Sequence, residues 1–459
     1  MAIDLTPRWR DFAVYLPALQ FQYASSVLKT ARVEKTRPFP NGIKPSDFDF
    51  LNPNSKLWHY GYGLYSAGQF TSAVGKSCAV TNRDRDNTTI LGDSGGYQIG
   101  KGTLKGMEAF KGLKTSAEIS AKWREKSEIR KWIVNWLETH SDYAMTIDMP
   151  LWAKLPSNSK TPFHKCDIED LIKMSVDNLD FIKHNKRDNT KWLSVLQGTT
   201  KEDSELWWNA VKNYKFSGYA LAGSVGWRGG LENVMRYVMM IRDEGGFSKK
   251  QEWMHVLGVS QPIWAVLLTQ IQRSIRKHCR NPNFRVSYDS ASPFQLGGRY
   301  QRVVRMPKYG KRLDSWVMTA HQAPINPKYA LDKNEFQFPY SSPIGDLMTL
   351  RELNWNGQFK RNVAVDATSG LMLINHDIYV FVRGLLEANE LMFMHSSEAD
   401  KAVPQPLIDC CAFIEHLFTV PNWNKELEKN ADLMASVFKS SPKTVKDISS
   451  VYEEEETRY

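Results

Sequence analysis

Asp93-Ser94-Gly95-Gly96-Tyr97-Gln98 closes an apolar run that begins at Thr88. A carboxylate at a strand end, beside two glycines and an aromatic ring, can present an acid or base to a flat ligand. Glycine lets backbone approach a bound group closely, and a tyrosine ring can stack on a planar one. Alone, the motif reads better as a tight turn after a buried strand, with Asp93 capping the next segment. Similar endings recur downstream. Tyr143 to Ile147 ends at Asp148, Trp192 to Leu196 at Gln197-Gly198, and Gly218 to Ala222 at Gly223-Ser224. Arg285 to Tyr288 ends at Asp289, while Met254 to Leu257 ends at Gly258 with no charge. Three carboxylates thus terminate three strand-like runs.

The segments between these runs have helical spacing. Ile168, Ile172, Ser175, Leu179 and Ile182 fall on one helix face. Thr200 to Asp203 reads as a helix start before Leu206, Trp207 and Val211. Ser260-Gln261-Pro262 reads as a cap with proline in the first turn, ahead of Val266, Leu267, Ile271 and Ile275. Alternation of strand and helix means parallel strands, and polar residues gathered at strand C-terminal ends mark a (β/α)8 TIM barrel. An open doubly wound sheet shares the alternation, but no G-x-G-x-x-G turn follows the first strands. The expected organisation is an N-terminal extension over 1–50, a barrel over 51–385 and C-terminal helices with a frayed acidic tail over 386–459. A helical insertion over 103–140 follows strand three, opened by a Thr115-x-x-Glu118 capping box ahead of Ile119, Trp123, Ile129, Ile133 and Trp136.

In order and spacing these motifs resemble the tRNA-guanine transglycosylase superfamily. The resemblance runs over residues 85–390 and rests on several motifs. They are Asp93-Ser-Gly-Gly-Tyr-Gln, Ile147-Asp148 before Pro150, Gln197-Gly198, Gly218-Tyr219-Ala220 through Gly226, Leu257-Gly258-Val259, and Asp289 with Pro293 four residues on. His376-Asp377-Ile378 resembles the start of that family's last barrel helix. The resemblance implies that Asp289 attacks C1′ of a nucleoside and expels guanine, with Asp93 as the acid/base. It implies that Asp148 reads the N1–H and 2-amino edge of guanine, and that Gln197 and Gly223 contact the 6-oxo group. Tyr97 and Leu257 would sandwich the base, with Ser224 and Gly258 beside it. The implied chemistry is coherent. Base exchange with retention divides into two displacements through a carboxylate ester, as in a retaining glycosidase, with a second base in place of water.

The family's C-x-C-x-x-C zinc site has no counterpart. The five cysteines, Cys78, Cys166, Cys279, Cys410 and Cys411, have no zinc-site spacing. No metal or cofactor is therefore expected. Clustered cations point to a polynucleotide. Lys plus Arg number 60 against 50 acids, a net charge of +10. Arg299, Arg302, Arg305, Lys308, Lys311 and Arg312 fall close together among Tyr300, Tyr309 and Trp316, a pattern suited to phosphates and exposed bases. Lys29, Arg32, Lys35 and Arg37 form another cluster, and Arg273, Arg276, Lys277, Arg280 and Arg285 a third, which reads equally as a solvated helix face. The chain looks most like the DNA-guanine branch found in phages and bacteria, which inserts 7-deazaguanines. The expected partners are DNA, with tRNA as the alternative, and a 7-deazaguanine base. The alternative readings are a divergent tRNA-guanine transglycosylase and a non-catalytic nucleic-acid-binding paralogue. No membrane span is expected; few, unpatterned cysteines and the absence of a signal-peptide pattern suggest a cytoplasmic protein. The sequence leaves the oligomeric state open.

Overall fold

The computed structural model of the protein describes residues 3–28, 39–69, 76–198, 200–222, 230–325, 336–354, 366–394 and 402–439. Its centre is a closed barrel of eight parallel strands. In chain order they are β1 (Val14–Leu19), β2 (Tyr62–Ser66), β3 (Thr89–Asp93), β4 (Tyr143–Met145), β5 (Lys191–Leu196), β6 (Gly218–Leu221), β7 (Trp253–Val256) and β8 (Arg285–Ser290). Each strand pairs with its successor, and β8 closes on β1 with Asp289 opposite Leu16. The expected (β/α)8 barrel is therefore present.

Side-chain direction alternates along each strand. Val14, Leu16, Leu64, Leu91, Met145, Leu193, Val195 and Trp253 pack together in one cluster inside the barrel. Their neighbours Tyr15, Tyr65, Ile90 and Tyr288 are buried in the larger core that holds the outer elements together. Continuing the inward parity past Leu91, Val195 and Trp253 puts Asp93, Gln197 and His255 on the inner face. The strand interior is a packed plug.

Short helices and loops join the strands. α1 (Phe21–Ser26) follows β1, and α2 (Gly96–Lys101) follows β3. Then come α3 (Ser116–Glu125) and α4 (Ser127–His140), so the expected insertion is a pair of helices. The Thr115–Glu118 capping box forms at the start of α3. α5 (Ile168–Asn185) and α6 (Lys201–Val211) follow β4 and β5, and the Thr200 hydroxyl caps α6 by accepting from Asp203 N–H. α7 (Gly230–Asp243) and α8 (Pro262–His278) complete the regular crossovers, α8 with proline in its first turn. α9 (Ser292–Gly298) and the 27-residue α10 (Ala367–Phe393) follow β8, with α11 (Gln405–Leu417), α12 (Trp423–Lys429) and α13 (Ala431–Ser436) after them.

Two expected boundaries move. The segment 1–50 contains β1, so it is not an extension outside the barrel. Pro17 sits within that strand, paired with Ser290 at its end, and proline argues against strand in a sequence reading. The boundary at 385/386 falls inside α10, one continuous helix. His376-Asp377 lies in the middle of α10, whose start is Asp366, capping Ser369 N–H. α10 is apolar on most of its circumference because it is covered on both sides. It packs against α8, α9 and β1, and also against a two-stranded hairpin of β9 (Arg302–Arg305) and β10 (Thr319–Gln322). Among the described residues no helix is long and apolar enough to cross a membrane.

Candidate active site

The three carboxylates singled out in the sequence end three strands of the barrel or the turns just beyond them. Asp93 is the last residue of β3, in register with Ser66 of β2. Its carboxylate accepts from the Ser66 hydroxyl and from Gly95 N–H. Gly95 has φ of 87° and its Cα lies 3.0 Å from where a Cβ on Gly68 would be. Both features demand glycine, and together they turn the chain so that backbone N–H faces the acid. Burial pushes the Asp93 carboxyl above the ordinary aspartate range, and the nearby Asp289 charge pushes it further.

Asp148 follows β4. Its loop is held by α5: Met149 N–H donates to Ser175 Oγ at 3.0 Å, and Asn178 Nδ2 donates to Ile147 O at 3.2 Å. Trp123 of α3 fixes Asn178 in turn, donating from Nε1 to Oδ1 at 2.8 Å. Gly96 presses against the carboxylate, for a Cβ there would come within 3.2 Å of Oδ1. Burial raises Asp148 to about 7, against the pull of a hydrogen bond from Gln197 and with the help of Asp93. Gln197 is oriented at both ends. Its Nε2 donates to Asp148 Oδ2, and its Oε1 accepts from Leu151 N–H at 2.9 Å. The Tyr237 hydroxyl holds the Gln197 backbone carbonyl. The resemblance implies a 6-oxo contact for Gln197; in the structure its side chain holds Asp148.

Asp289, on β8, is 9% exposed and opens to the barrel mouth. Its Oδ1 accepts from Gly258 N–H at 2.9 Å and faces His255 Nε2 at 3.2 Å. The coupling of Asp93 to both Asp148 and Asp289 sets the three carboxylates in one electrostatic cluster. Leu257 packs on the top of the interior plug. Tyr97, on α2, is exposed at the rim, its ring centroid 5.7 Å from that of Trp152. Lys101 Nζ lies 5.8 Å and 5.3 Å from those two ring centroids and donates to Asn158 Oδ1 at 2.9 Å. Gly223 and Ser224 lie outside the described residues.

Sequence reasoning missed His255, Ser66, Ser287 and Trp152. For His255 a signal existed. It has the same strand parity as Trp253 and stands three residues before Gly258.

The basic-aromatic stretch does not stay at the mouth. Val304 N–H donates to Asp377 Oδ1, and Tyr309 OH donates to Gly384 O, so the chain descends along α10. The far end of α10 carries Glu390, paired with Arg8, which precedes β1 and so marks the opposite end of the barrel. Arg299 and Arg302 are near the upper part, over the Tyr300 ring at 5.5 Å and 6.0 Å. Arg305, Lys308, Lys311 and Arg312 are exposed on the flank, with Arg305 over the Tyr340 ring at 5.5 Å and Arg312 paired to Asp314 at 2.5 Å. Close spacing in sequence therefore does not gather all six cations at the mouth. The reason is the length of α10, which draws the hairpin down its outer face. The Lys29–Arg37 cluster lies outside the described residues.

Among the described residues no group of three His, Cys, Asp or Glu side chains is arranged to hold a metal ion. Cys410 and Cys411 are buried on α11. Comparison with known proteins adds no assignment: no family model and no curated protein matches the chain.

Proposed function

We propose that the protein is a base-exchange glycosyltransferase that replaces guanine in DNA with a 7-deazaguanine through a covalent aspartyl-nucleoside intermediate. One observation carries the reading: Asp93, Asp148 and Asp289 share one electrostatic cluster at the C-terminal end of a (β/α)8 barrel. Each environment suits a different task. Asp289 is the nucleophile, a carboxylate oriented by donors on one oxygen. Asp93, with its raised pKa, holds a proton that leaves with guanine and is recovered from the incoming base. Asp148, held by Gln197, presents an acceptor that matches the N1–H and 2-amino donors of guanine; adenine lacks that pair. Tyr97 and Leu257 supply apolar faces for the ring. A guanine inside a duplex has to be flipped out or already unpaired to reach this depth. The absence of a zinc-type cysteine pattern in the sequence favours DNA over tRNA.

The test is incubation with guanine-containing DNA or tRNA and labelled 7-cyano-7-deazaguanine, followed by digestion to nucleosides. Label is expected in DNA, and Asp289→Asn should abolish it because an amide cannot form the glycosyl ester. Label in tRNA alone would establish the tRNA enzyme instead. Equal incorporation by Asp289→Asn, or none in either polymer, would overturn the reading.

A further inference from the structure

We infer that His255 is a positioning residue: as the neutral Nε2–H tautomer it fixes the nucleophilic Asp289 so that Oδ2 attacks. The inference rests on the transglycosylase reading and deepens it.

The tautomer follows from a chain of contacts across β7 and β8. Trp253 Nε1–H donates to Ser287 Oγ at 2.7 Å, and Ser287 Oγ lies 2.8 Å from His255 Nδ1. Indole nitrogen is only a donor, so it occupies an acceptor position on the hydroxyl. Among the described residues the Ser287 hydroxyl proton has no other acceptor than His255 Nδ1. Nδ1 therefore accepts, and the ring proton sits on Nε2, which faces Asp289 Oδ1 at 3.2 Å. The reverse tautomer would set a ring lone pair against a carboxylate oxygen. His255 and Ser287 are directly opposed in the strand register, and both are fully buried, so the arrangement is rigid.

The consequence lies in the two oxygens of Asp289. Oδ1 takes two donors, His255 Nε2–H and Gly258 N–H. Oδ2 has no hydrogen-bond partner among the described residues. Charge-assisted donors hold Oδ1 in place and leave Oδ2 as the oxygen that meets C1′. In the first displacement the C1′–Oδ2 bond forms and the C1′–N9 bond breaks. Guanine keeps that electron pair and takes a proton from Asp93. Oδ1 becomes the carbonyl oxygen of the ester, still hydrogen-bonded. In the second displacement the incoming base forms C1′–N9 and gives its proton to Asp93. The ester electrons return to Asp289, whose recovered charge His255 and Gly258 stabilise. His255 never touches substrate; it acts through Asp289.

The experiment compares wild type, His255→Gln, His255→Leu and Ser287→Ala in guanine release from DNA and in trapping of the covalent adduct. Gln carries an N–H donor at about the reach of Nε2, and Leu carries none. His255→Leu should lower kcat about 100-fold, the scale of a misplaced reacting group, with KM for the incoming base unchanged. His255→Gln should recover about a tenth or more of the wild-type kcat. Ser287→Ala keeps the ring but frees its tautomer, and should lower kcat several-fold; it carries the test where His255→Leu does not fold. Wild-type kcat in His255→Leu, or equal defects in Gln and Leu at equal melting temperature, would overturn the inference. Where His255→Leu does not fold, wild-type kcat in Ser287→Ala would do the same. Failure of wild type itself to release guanine would instead remove the functional reading beneath it.

Discussion

At the scale of single residues, Asp148 shows how a buried acid is held at a cost to stability. Burial raises its carboxyl to about 7, whereas in the unfolded chain it titrates near 4. The folded state therefore keeps the proton longer than the unfolded one. Wild-type stability should fall as pH rises from about 4 to 7 and level off above that. Asp148→Asn removes the titration, so the variant should gain melting temperature relative to wild type across that window. The gap is expected to be small at pH 4 and largest above pH 7, on the order of 2–4 kcal/mol. The same variant should lose guanine binding in calorimetry. A gap that does not change with pH would mean that Asp148 is not the buried acid described here. This residue was legible in the sequence because it ended a strand-like run before Pro150. His255 was not, because a histidine inside an apolar run reads as core. Its parity with Trp253 hinted at the inner face, and the register opposite Ser287 shows that it faces Asp289.

At the scale of elements, the layer outside the barrel is tied by specific side chains. Glu415 on α11 accepts from Ser274 Oγ at 2.8 Å and Lys277 Nζ at 2.6 Å, and it pairs with His278 Nε2 at 2.8 Å, all on α8. Burial alone would raise its carboxyl, but these partners hold it down at about 2. A depressed acid contributes stability above its unfolded value, near 4.3, and loses it as pH falls toward 2. Glu415→Gln should cost about 1–2 kcal/mol at neutral pH, allowing for its partial exposure, and nothing near pH 2. Urea titrations at pH 7 and pH 2.5 check this; an equal loss at both would show that packing, not charge, is at stake. Helices α5 and α6 were readable from spacing and caps because each hides one face, and α8 from its Ser260-Gln261-Pro262 start. α10 was not bounded correctly. A helix covered on most sides loses its periodic signature, and only Asp366 and its capping bond mark where it begins.

At the scale of the whole molecule, the barrel was legible because six of its eight strands are short apolar runs, five of them ended by polar residues. β1 escaped through Pro17, and β2 because no carboxylate, Gln or glycine pair ends its run. The placement of the cations could not be read at all, since it depends on where the hairpin lies on α10. That placement makes a prediction about substrate length. Lys308 and Lys311 are exposed on the flank, far from the mouth that would receive the target base. Lys308→Ala with Lys311→Ala should leave binding of a short oligonucleotide unaffected. It should weaken a long duplex and reduce its salt dependence, by about one unit of log–log slope per lost phosphate contact. Equal effects on short and long DNA, measured by salt titration of fluorescence anisotropy, would place the flank outside the path of the polymer.

The closure of β8 on β1 also bears on the birth of the protein. Asp289 pairs in register with Leu16, so the strand carrying the proposed nucleophile leans on the first barrel strand to be synthesised. Some 270 residues separate them, and contacts so distant in sequence form late because the intervening loop must first be ordered. Until then β1 is an open edge, able to pair with the wrong partner. A nascent chain that has made Asp93 and Asp148 still lacks the third carboxylate of the cluster. The cluster of three carboxylates is complete only when the two ends of the sheet meet.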